Sequence, residues 1–260
     1  MRNLKAKRIV IKIGTNTLTD DKGMLDLKLI GNLVSQIAKI KQKREIIIVT
    51  SGAIGAGMQE LKLKERPKDV IMKQVCAAVG QNILMSTYKS LFDKHNIKIA
   101  QILLKYDDIA DKETYKNLRN SMEKLLELGV IPIINENDPI SINEIGPSFG
   151  DNDNLSALIA TKIKADLLIA LTNVDGLYNK NPADKNALLI KEVKNIDKRI
   201  ESMAGKSASL GIGGMKAKIE AAKKATREGV IVVIANGRAN NVLINVLNNE
   251  AIGTIIYGEF

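Results

Sequence analysis

The 260-residue chain has one cysteine and one histidine, and this scarcity excludes several kinds of site. A lone cysteine, Cys76, allows no internal disulfide and is typical of a cytoplasmic protein. A Cys/His zinc site needs more such side chains than Cys76 and His95 supply, and we expect His95 to end a helix rather than to act in a serine triad. The start of the chain, with Lys12 inside its apolar run, also lacks the core of a signal peptide.

Long apolar runs and aromatic side chains are also scarce. The longest apolar stretches, such as 167–171, are too short to cross a membrane. With 39 basic and 29 acidic residues the net charge is +10, which raises nucleic acid as a partner. The basic residues are scattered, however, and aromatic side chains, on which bases stack, make up only 3%. We therefore expect a small anionic ligand, and neither nucleic acid nor a membrane, as the partner.

Short β-branched runs alternate with helical spacing along the whole chain. The predicted strands are Arg8–Ile13, Glu45–Val49, Ile97–Leu103, Val130–Ile134, Asp166–Leu171, Leu188–Val193, Val230–Ala235 and Gly253–Tyr257. The predicted helices lie around Ile30–Ile37, Pro67–Lys94, Asp111–Leu128, Asn154–Lys164 and Met215–Glu228. Near-continuous apolar strands separated by helices are typical of a parallel sheet that is covered on both faces. This pattern predicts an α/β fold, an open and mostly parallel sheet sandwiched between helices, in one domain.

Two glycine-containing loops follow the first two predicted strands. Ligands in such folds bind beyond the carboxyl ends of the strands. Lys12 stands one residue before the end of the first strand, and Gly14 lets a ligand approach the backbone closely. The segment Thr50–Gly57 places three glycines at a strand-to-helix junction, which predicts an anion cradle of backbone N–H groups.

Carboxylates and amides flank the long loop after the fourth strand, in Asn135–Pro139 and Gly150–Asn154. Helix capping accounts for one of these residues, Asp151 or Asn152, and leaves the others unexplained. Such groups can hold a substrate ammonium or a metal ion, and Asp153 can orient nearby cations. The spacing of an EF-hand is absent, so we do not expect calcium.

A fourth loop, Gly211–Lys218, opens an alanine-rich helix. Backbone N–H groups, the helix dipole and Lys218 one turn into the helix predict a phosphate site. Two lysines, two glycine loops and a carboxylate cluster at strand ends suit phosphoryl transfer, in which the protein mainly positions and neutralises the reactants.

The order of these motifs resembles the amino acid kinase family over residues 8 to about 238. The motifs that carry the resemblance are Ile11–Gly14, Ser51–Ile54, Asn135–Asp138, Gly150–Asp153 and Gly213–Lys218. Within the family, the chain looks most like the members that phosphorylate the side-chain carboxylate of L-glutamate in the first step of proline biosynthesis. Many of those members carry a C-terminal PUA domain, which we do not expect here. Phosphorylation of N-acetylglutamate, aspartate, carbamate or UMP remains an alternative, as does a non-catalytic amino-acid sensor.

The resemblance implies a single kinase domain over 1–260, with a glutamate-binding lobe over about 1–165 and an ATP-binding lobe over about 166–260. Its implied catalytic residues are Lys12, Asp153 and Lys218, with Asp153 orienting the two lysines. The implied glutamate-binding residues are Ser51, Gly52, Asp138 and Asn152. The implied ATP-binding residues are Lys12, Gly14, Thr172, Asn173, Ile212, Gly213, Gly214, Met215, Lys216, Ala217 and Lys218. The implied cofactors are ATP and Mg²⁺, and the metal is carried by ATP with no protein side chain as a ligand.

Three positions depart from the pattern common in the family. Asn173 stands where Asp is common, Ile212 where Thr is common, and Asn16 where Ser is common. The resemblance also implies a homo-oligomer and feedback inhibition by proline. The polar segment Ile140–Phe149 is our candidate for a mobile element that responds to ligands.

Overall fold

The computed structural model describes residues 4–20, 23–140, 152–206, 214–248 and 250–258. Within these ranges, runs of Ile, Val and Leu form an eight-stranded sheet, since β-branched side chains suit a pleated, buried surface. The strands are β1 (Arg8–Ile13), β2 (Glu45–Thr50), β3 (Ile99–Leu104), β4 (Ile131–Glu136), β5 (Leu167–Thr172), β6 (Glu192–Val193), β7 (Ile231–Asn236) and β8 (Thr254–Ile256).

Helices occupy much of the chain between the strands. They are α1 (Thr15–Leu18), α2 (Leu27–Lys41), α3 (Ala53–Glu60), α4 (Val70–Asp93), α5 (Tyr106–Ala110), α6 (Lys112–Glu127), α7 (Asn152–Lys162), α8 (Lys198–Lys206), α9 (Met215–Arg227) and α10 (Val242–Leu247). Asp26, Asp69 and Asp111 cap α2, α4 and α6, because each carboxylate accepts a backbone N–H of the first turn. Among the helices described, none is long and apolar enough to span a membrane.

The strand order is β3-β4-β2-β1-β5-β7-β8-β6. Neighbouring strands are parallel except for the antiparallel pair β7 and β8. From β1 the chain first builds one side of the sheet with β2, β3 and β4, and later the other side with β5 and β7. The carboxyl end of β1 is thus a topological switch point, where sheets of this kind bind ligands. The predicted open, mostly parallel sheet between helices is confirmed.

Side chains along each strand alternate between the two faces of the sheet, so each face has its own hydrophobic core. In β1, Ile9, Ile11 and Ile13 contribute to the core formed with α2, α4 and α10, whereas Val10 contributes to the core formed with α6, α7 and α9. Because side chains alternate between the two faces, Lys12 lies on the same face as Val10. Both cores draw on strands from either side of β1, so the two halves of the chain share one sheet.

One predicted strand is shorter than expected. The prediction covered Leu188–Val193, but β6 comprises only Glu192–Val193 and pairs with β8 at the edge of the sheet. Leu189 makes an isolated bridge with Tyr178 instead. Very short edge strands are common, because a long one would expose a row of unpaired backbone groups.

The glycine-rich segment after β2 is mostly helical, so the strand-to-helix junction is shorter than the loop over residues 50–57 that we expected. Helix α3 begins at Ala53, and Gly57 lies where α3 meets α4. A Cβ atom on Gly57 would clash with the carbonyl of Cys76, and one on Gly80 would clash with the carbonyl of Ala53. These two glycines therefore serve helix packing. Cys76 is free and buried.

Candidate active site

Two lysines share one buried carboxylate at the carboxyl end of β1. Lys12 Nζ lies 2.5 Å from Asp153 Oδ1, and Lys218 Nζ lies 2.9 Å from Asp153 Oδ2. The relative exposures of Lys12, Asp153 and Lys218 are 4%, 2% and 8%. We call these three residues the lysine–aspartate cluster. The three residues are far apart in the sequence. They meet because α7 and α9, which carry Asp153 and Lys218, pack on the face of the sheet on which Lys12 lies.

Local structure explains how each member reaches the cluster. Asp153 belongs to the first turn of α7, and Lys218 lies one turn into α9. Lys12 bends back over Gly14, because a Cβ atom at position 14 would lie 3.4 Å from Lys12 Nζ. The amino ends of α7 and α9 thus meet the carboxyl end of β1, and both helix dipoles present positive potential there.

The charge balance of the cluster favours an anionic ligand. Burial raises the pKa of Asp153, but the charges of Lys12 and Lys218 outweigh this effect and hold the pKa below its usual value. Asp153 is therefore ionised at neutral pH and leaves one net positive charge in the cluster. A preorganised cationic site of this kind stabilises negative charge that develops during a reaction.

Amide and hydroxyl groups lie beside the cluster at the ends of β2 and β4. Asn152 Nδ2 lies 2.8 Å from Ser51 Oγ, 2.9 Å from the carbonyl of Thr50 and 3.1 Å from Asn135 Oδ1. Gly52 precedes α3 with φ of 103°, a left-handed conformation that favours glycine. The structure thus brings the predicted residues Ser51, Gly52 and Asn152 together.

Asp138 lies just beyond β4 in a short 3₁₀ turn, Asp138–Ile140. Burial is the main cause that raises its pKa to about 7, the charge of Glu136 adds to the effect, and the charge of Arg66 opposes it. A cation beside Asp138 would lower this pKa, because a nearby positive charge favours the ionised form of a carboxylate.

On the other side of β1, Thr172 is buried at the end of β5 and Asn173 is exposed. Their side-chain oxygens lie 3.4 Å apart. Asp175, which was not among the predicted site residues, accepts hydrogen bonds from Asn236 Nδ2 at 2.9 Å and from the Tyr178 hydroxyl at 3.1 Å. A carboxylate so engaged holds the loop after β5 against the end of β7.

The second predicted phosphate loop is only partly described. Gly214 precedes α9, and Met215, Lys216 and Ala217 form its first turn together with Lys218. Lys216 is exposed. The predicted residues Ile212 and Gly213 lie outside the described residues, as do Ser141–Phe149 of the loop that we predicted to respond to ligands.

Carboxylates and imidazoles do not form a metal site in the described ranges. No group of three or more His, Cys, Asp or Glu residues among them is arranged to hold an ion. Both oxygens of Asp153 lie against lysine amines. Asp153 is therefore engaged by the two lysines.

An open, mostly parallel α/β sheet with a cationic cluster at its switch point defines a class of proteins that bind anionic ligands at the strand ends. The chain belongs to the amino acid kinase family, whose model matches residues 7–236.

Two proteins similar to this chain share one enzyme name within the family. Glutamate 5-kinase from Methanosarcina barkeri is 47% identical over 262 residues, which cover 97% of this chain and 68% of that protein. Glutamate 5-kinase from Clostridium acetobutylicum is 48% identical over 251 residues, which cover 95% of this chain and 93% of that protein.

Two solved structures share the fold at low sequence identity. Carbamate kinase from Giardia lamblia bound to AMP-PNP is 18% identical with a TM-score of 0.68, covering 98% of this chain and 100% of that one. UMP kinase from Bacillus anthracis is 16% identical with a TM-score of 0.66, covering 98% of this chain and 97% of that one.

Proposed function

We propose that this chain transfers the γ-phosphoryl group of ATP to the side-chain carboxylate of L-glutamate. The products are L-glutamyl 5-phosphate and ADP, and the reaction is the first step of proline biosynthesis. The observation that carries the proposal is the lysine–aspartate cluster at the switch point of the sheet. The identities of 47% and 48% to two glutamate 5-kinases support glutamate as the acceptor.

In this mechanism an oxygen of the glutamate carboxylate attacks the γ-phosphorus, and the bond from that phosphorus to the β–γ bridging oxygen breaks. The carboxylate is already ionised at neutral pH, so the reaction needs no general base. Because two anions must meet, Lys12 and Lys218 lower the barrier by stabilising negative charge on the transferring group. Asp153 holds the two amines, which would otherwise repel each other, at fixed positions.

We assign the glutamate subsite to the side of β1 that carries β2 and β4. Ser51, Gly52 and Asn152 converge there, and Asp138 supplies a carboxylate for the substrate ammonium. An ammonium beside Asp138 would lower the pKa of that carboxyl and favour its ionised form.

We assign the ATP subsite to the other side of β1. Thr172 and Asn173 follow β5 there, and Gly214 and the first turn of α9 lead to Lys218. Backbone N–H groups at the start of a helix suit phosphates. Mg²⁺ bound to the phosphates of ATP would add positive charge, and in this proposal the chain contributes no side chain to its coordination.

The first experiment measures ADP release from ATP and Mg²⁺ with glutamate, aspartate, N-acetylglutamate, carbamate or UMP as the acceptor. Hydroxylamine is included to trap an acyl phosphate as the hydroxamate. We expect turnover and trapped hydroxamate with glutamate. Turnover with a different acceptor only would overturn the assignment of the glutamate subsite, and a lack of turnover with every acceptor would indicate an amino-acid sensor.

The role of the lysines is tested by Lys218→Ala, which should lower kcat by about 10²-fold or more, by analogy with the loss of one preorganised donor. Lys223→Ala is a matched control on the same helix, because the side chains of Lys223 and its partner Glu201 are 36% and 43% exposed. The control should keep kcat within about twofold, since exposed ion pairs contribute little. Near-normal turnover of Lys218→Ala would refute the phosphoryl-transfer role.

We further propose a cytoplasmic homo-oligomer that is inhibited by proline. The lone buried cysteine supports the location. Exposed apolar side chains on α4, Ile71 at 69% and Val75 at 42%, support self-association. Light scattering tests the oligomer and should give a mass above that of the 28.4 kDa chain. Turnover at rising proline concentration tests the inhibition.

A further inference from the structure

Three buried amide side chains form a chain of hydrogen bonds beneath the proposed glutamate subsite. Asn135 Nδ2 donates to Gln81 Oε1 at 2.9 Å, and Asn152 Nδ2 lies 3.1 Å from Asn135 Oδ1. The relative exposures of Gln81, Asn135 and Asn152 are 8%, 2% and 8%. Gln81 lies on α4, so these hydrogen bonds connect that helix to β4 and to the start of α7.

Backbone groups determine which way each amide faces. The N–H of Glu136 donates to Asn135 Oδ1 at 2.9 Å, so the other atom of that amide, Nδ2, must be the donor toward Gln81. The contacting atom of Gln81 is therefore Oε1, and its NH₂ group is left for another partner. Likewise, the carbonyl of Thr50 can only accept, so Nδ2 of Asn152 faces it and Oδ1 points elsewhere.

Among the side chains of Gln81, Asn135 and Asn152, two atoms have no hydrogen-bond partner in the part of the molecule that the structure describes. They are Gln81 Nε2, a donor, and Asn152 Oδ1, an acceptor, and both are buried. Buried polar atoms are rarely left unpaired, because losing contact with water without a replacement is unfavourable. A donor and an acceptor left together in one amide chain indicate a ligand that carries both kinds of group.

We propose that Gln81 is a further substrate-binding residue, which donates from Nε2 to the α-carboxylate of glutamate. Asn152 Oδ1 then accepts from the ammonium on the same carbon atom. This inference rests on the proposed function and deepens it. It assigns the residue by which the site would distinguish glutamate from an acceptor that has the amine and the reacting carboxylate but no α-carboxylate.

The position of Gln81 in the fold explains why it binds this carboxylate and not the reacting one. Gln81 contacts the end of β4, whereas Lys12 belongs to β1, and β2 lies between them. Neighbouring strands are about 4.8 Å apart, so β4 and β1 are about 10 Å apart. The carbon chain of glutamate with a hydrogen bond at each end spans a distance of this order. The side-chain carboxylate then reaches the lysine–aspartate cluster.

The test compares glutamate with 4-aminobutanoate, which keeps the amine and the reacting carboxylate but lacks the α-carboxylate. In Gln81→Met, we expect kcat/KM for glutamate to fall about 10- to 100-fold, the range for a lost hydrogen bond to a charged group. The loss should appear mainly in the KM for glutamate, with the KM for ATP unchanged. For 4-aminobutanoate, kcat/KM should stay within about threefold of the wild-type value, so discrimination between the two acceptors falls.

Two further variants separate binding from folding. Gln81→Glu keeps an acceptor for Asn135 and removes the donor, so it should also lose glutamate selectively. Gln36→Met is the matched control, because Gln36 is another buried glutamine but accepts from the N–H of Leu243, away from the site. It should lower the melting temperature and leave the preference for glutamate unchanged.

The outcomes distinguish the inference from the proposed function. If the wild-type protein does not phosphorylate glutamate, the proposed function fails. If it does, and if Gln81→Met and Gln81→Glu reduce turnover of both acceptors equally, Gln81 has only a structural role and the inference is overturned. Selective loss of glutamate in either variant supports it.

Discussion

The buried lysine–aspartate cluster is stable only as a unit. Removing ions from water costs several kcal/mol for each ion, and mutual attraction offsets this cost only when every charge has a partner. Asp153 is almost fully buried between two lysines and is the carboxylate to which both pair. Loss of Asp153 therefore harms both the fold and the proposed site, whereas loss of one lysine still leaves a paired carboxylate.

We expect Asp153→Asn to lower kcat by about 10²-fold or more and to reduce the free energy of unfolding by about 3–5 kcal/mol. Turnover assays and urea titration measure the two effects. Asp93→Asn, a change in an exposed ion pair with Lys89, is the control and should alter neither. Wild-type stability of Asp153→Asn would contradict this account.

The stabilisation from Asp153 also has a definite pH window. Because the pKa of Asp153 is depressed in the folded state, its contribution is present at neutral pH and is lost as the pH falls through the folded-state pKa.

Asp138 predicts a pH dependence of glutamate binding. With a pKa raised to about 7, its carboxyl is largely neutral below that pH and ionised above it. Only the ionised form attracts an ammonium strongly, so we expect the KM for glutamate to rise as the pH falls from 8 to 6. Initial rates across this range measure the effect, and a flat profile would show that Asp138 does not bind the ammonium.

Arg66 offers a fold-preserving check on that profile. Its positive charge opposes the increase in the pKa of Asp138, and Arg66 is exposed. The Arg66→Gln variant should therefore move the midpoint of the KM profile to higher pH.

At the scale of elements, the contact between α3 and α4 positions the proposed glutamate subsite. Gly57 and Gly80 let the two backbones touch, and Gln81 follows Gly80 directly. Gly52 at the start of α3 and Gln81 on α4 therefore depend on the same close approach. A side chain at this contact must push the helices apart, because backbone atoms cannot move aside as the end of a flexible side chain can.

We expect Gly57→Ala to lower the free energy of unfolding by about 1–3 kcal/mol through overpacking, and to raise the KM for glutamate. Chemical denaturation and steady-state kinetics measure the two effects. Gly205→Ala in α8 is the control, since a Cβ atom there meets open space. It should leave stability unchanged or improve it by up to about 1 kcal/mol, because alanine favours helix more than glycine does. Equal effects of the two variants would contradict the helix-contact argument.

At the scale of the whole molecule, one sheet runs through both proposed lobes. β1 pairs with β2 on one side and β5 on the other, and the two cores each combine residues from both halves of the chain. Arg8 adds a polar link, because it pairs with Glu45 and Glu123 and donates to the carbonyl of Ile163. Neither half can bury its apolar surface without the other.

We therefore expect a single cooperative unfolding transition for residues 1–260, with agreement between the calorimetric and van't Hoff enthalpies. Differential scanning calorimetry measures both. Two resolved transitions would show that the halves near residue 165 fold independently, contrary to the continuous sheet.

Much of the fold was predictable because its signals are local. The apolar run of β1 and the helical spacing in α4 each reflect burial along one segment, and their alternation predicts a parallel sheet. Lys12, Asp153 and Lys218 were selected for the same reason, since each stands at the end of a strand or the start of a helix, where such folds bind ligands.

The sequence by itself determined the fold class, the order of the strands along the chain and the residue types available at their carboxyl ends. Only the tertiary structure decided that Gln81 bonds to Asn135, that burial and Glu136 raise the pKa of Asp138, and that Gly57 lies at a close contact between two helices. These properties arise between elements that are distant in the sequence. The periodicity of apolar residues in the sequence indicates whether a residue is buried, but it does not indicate which atoms surround that residue.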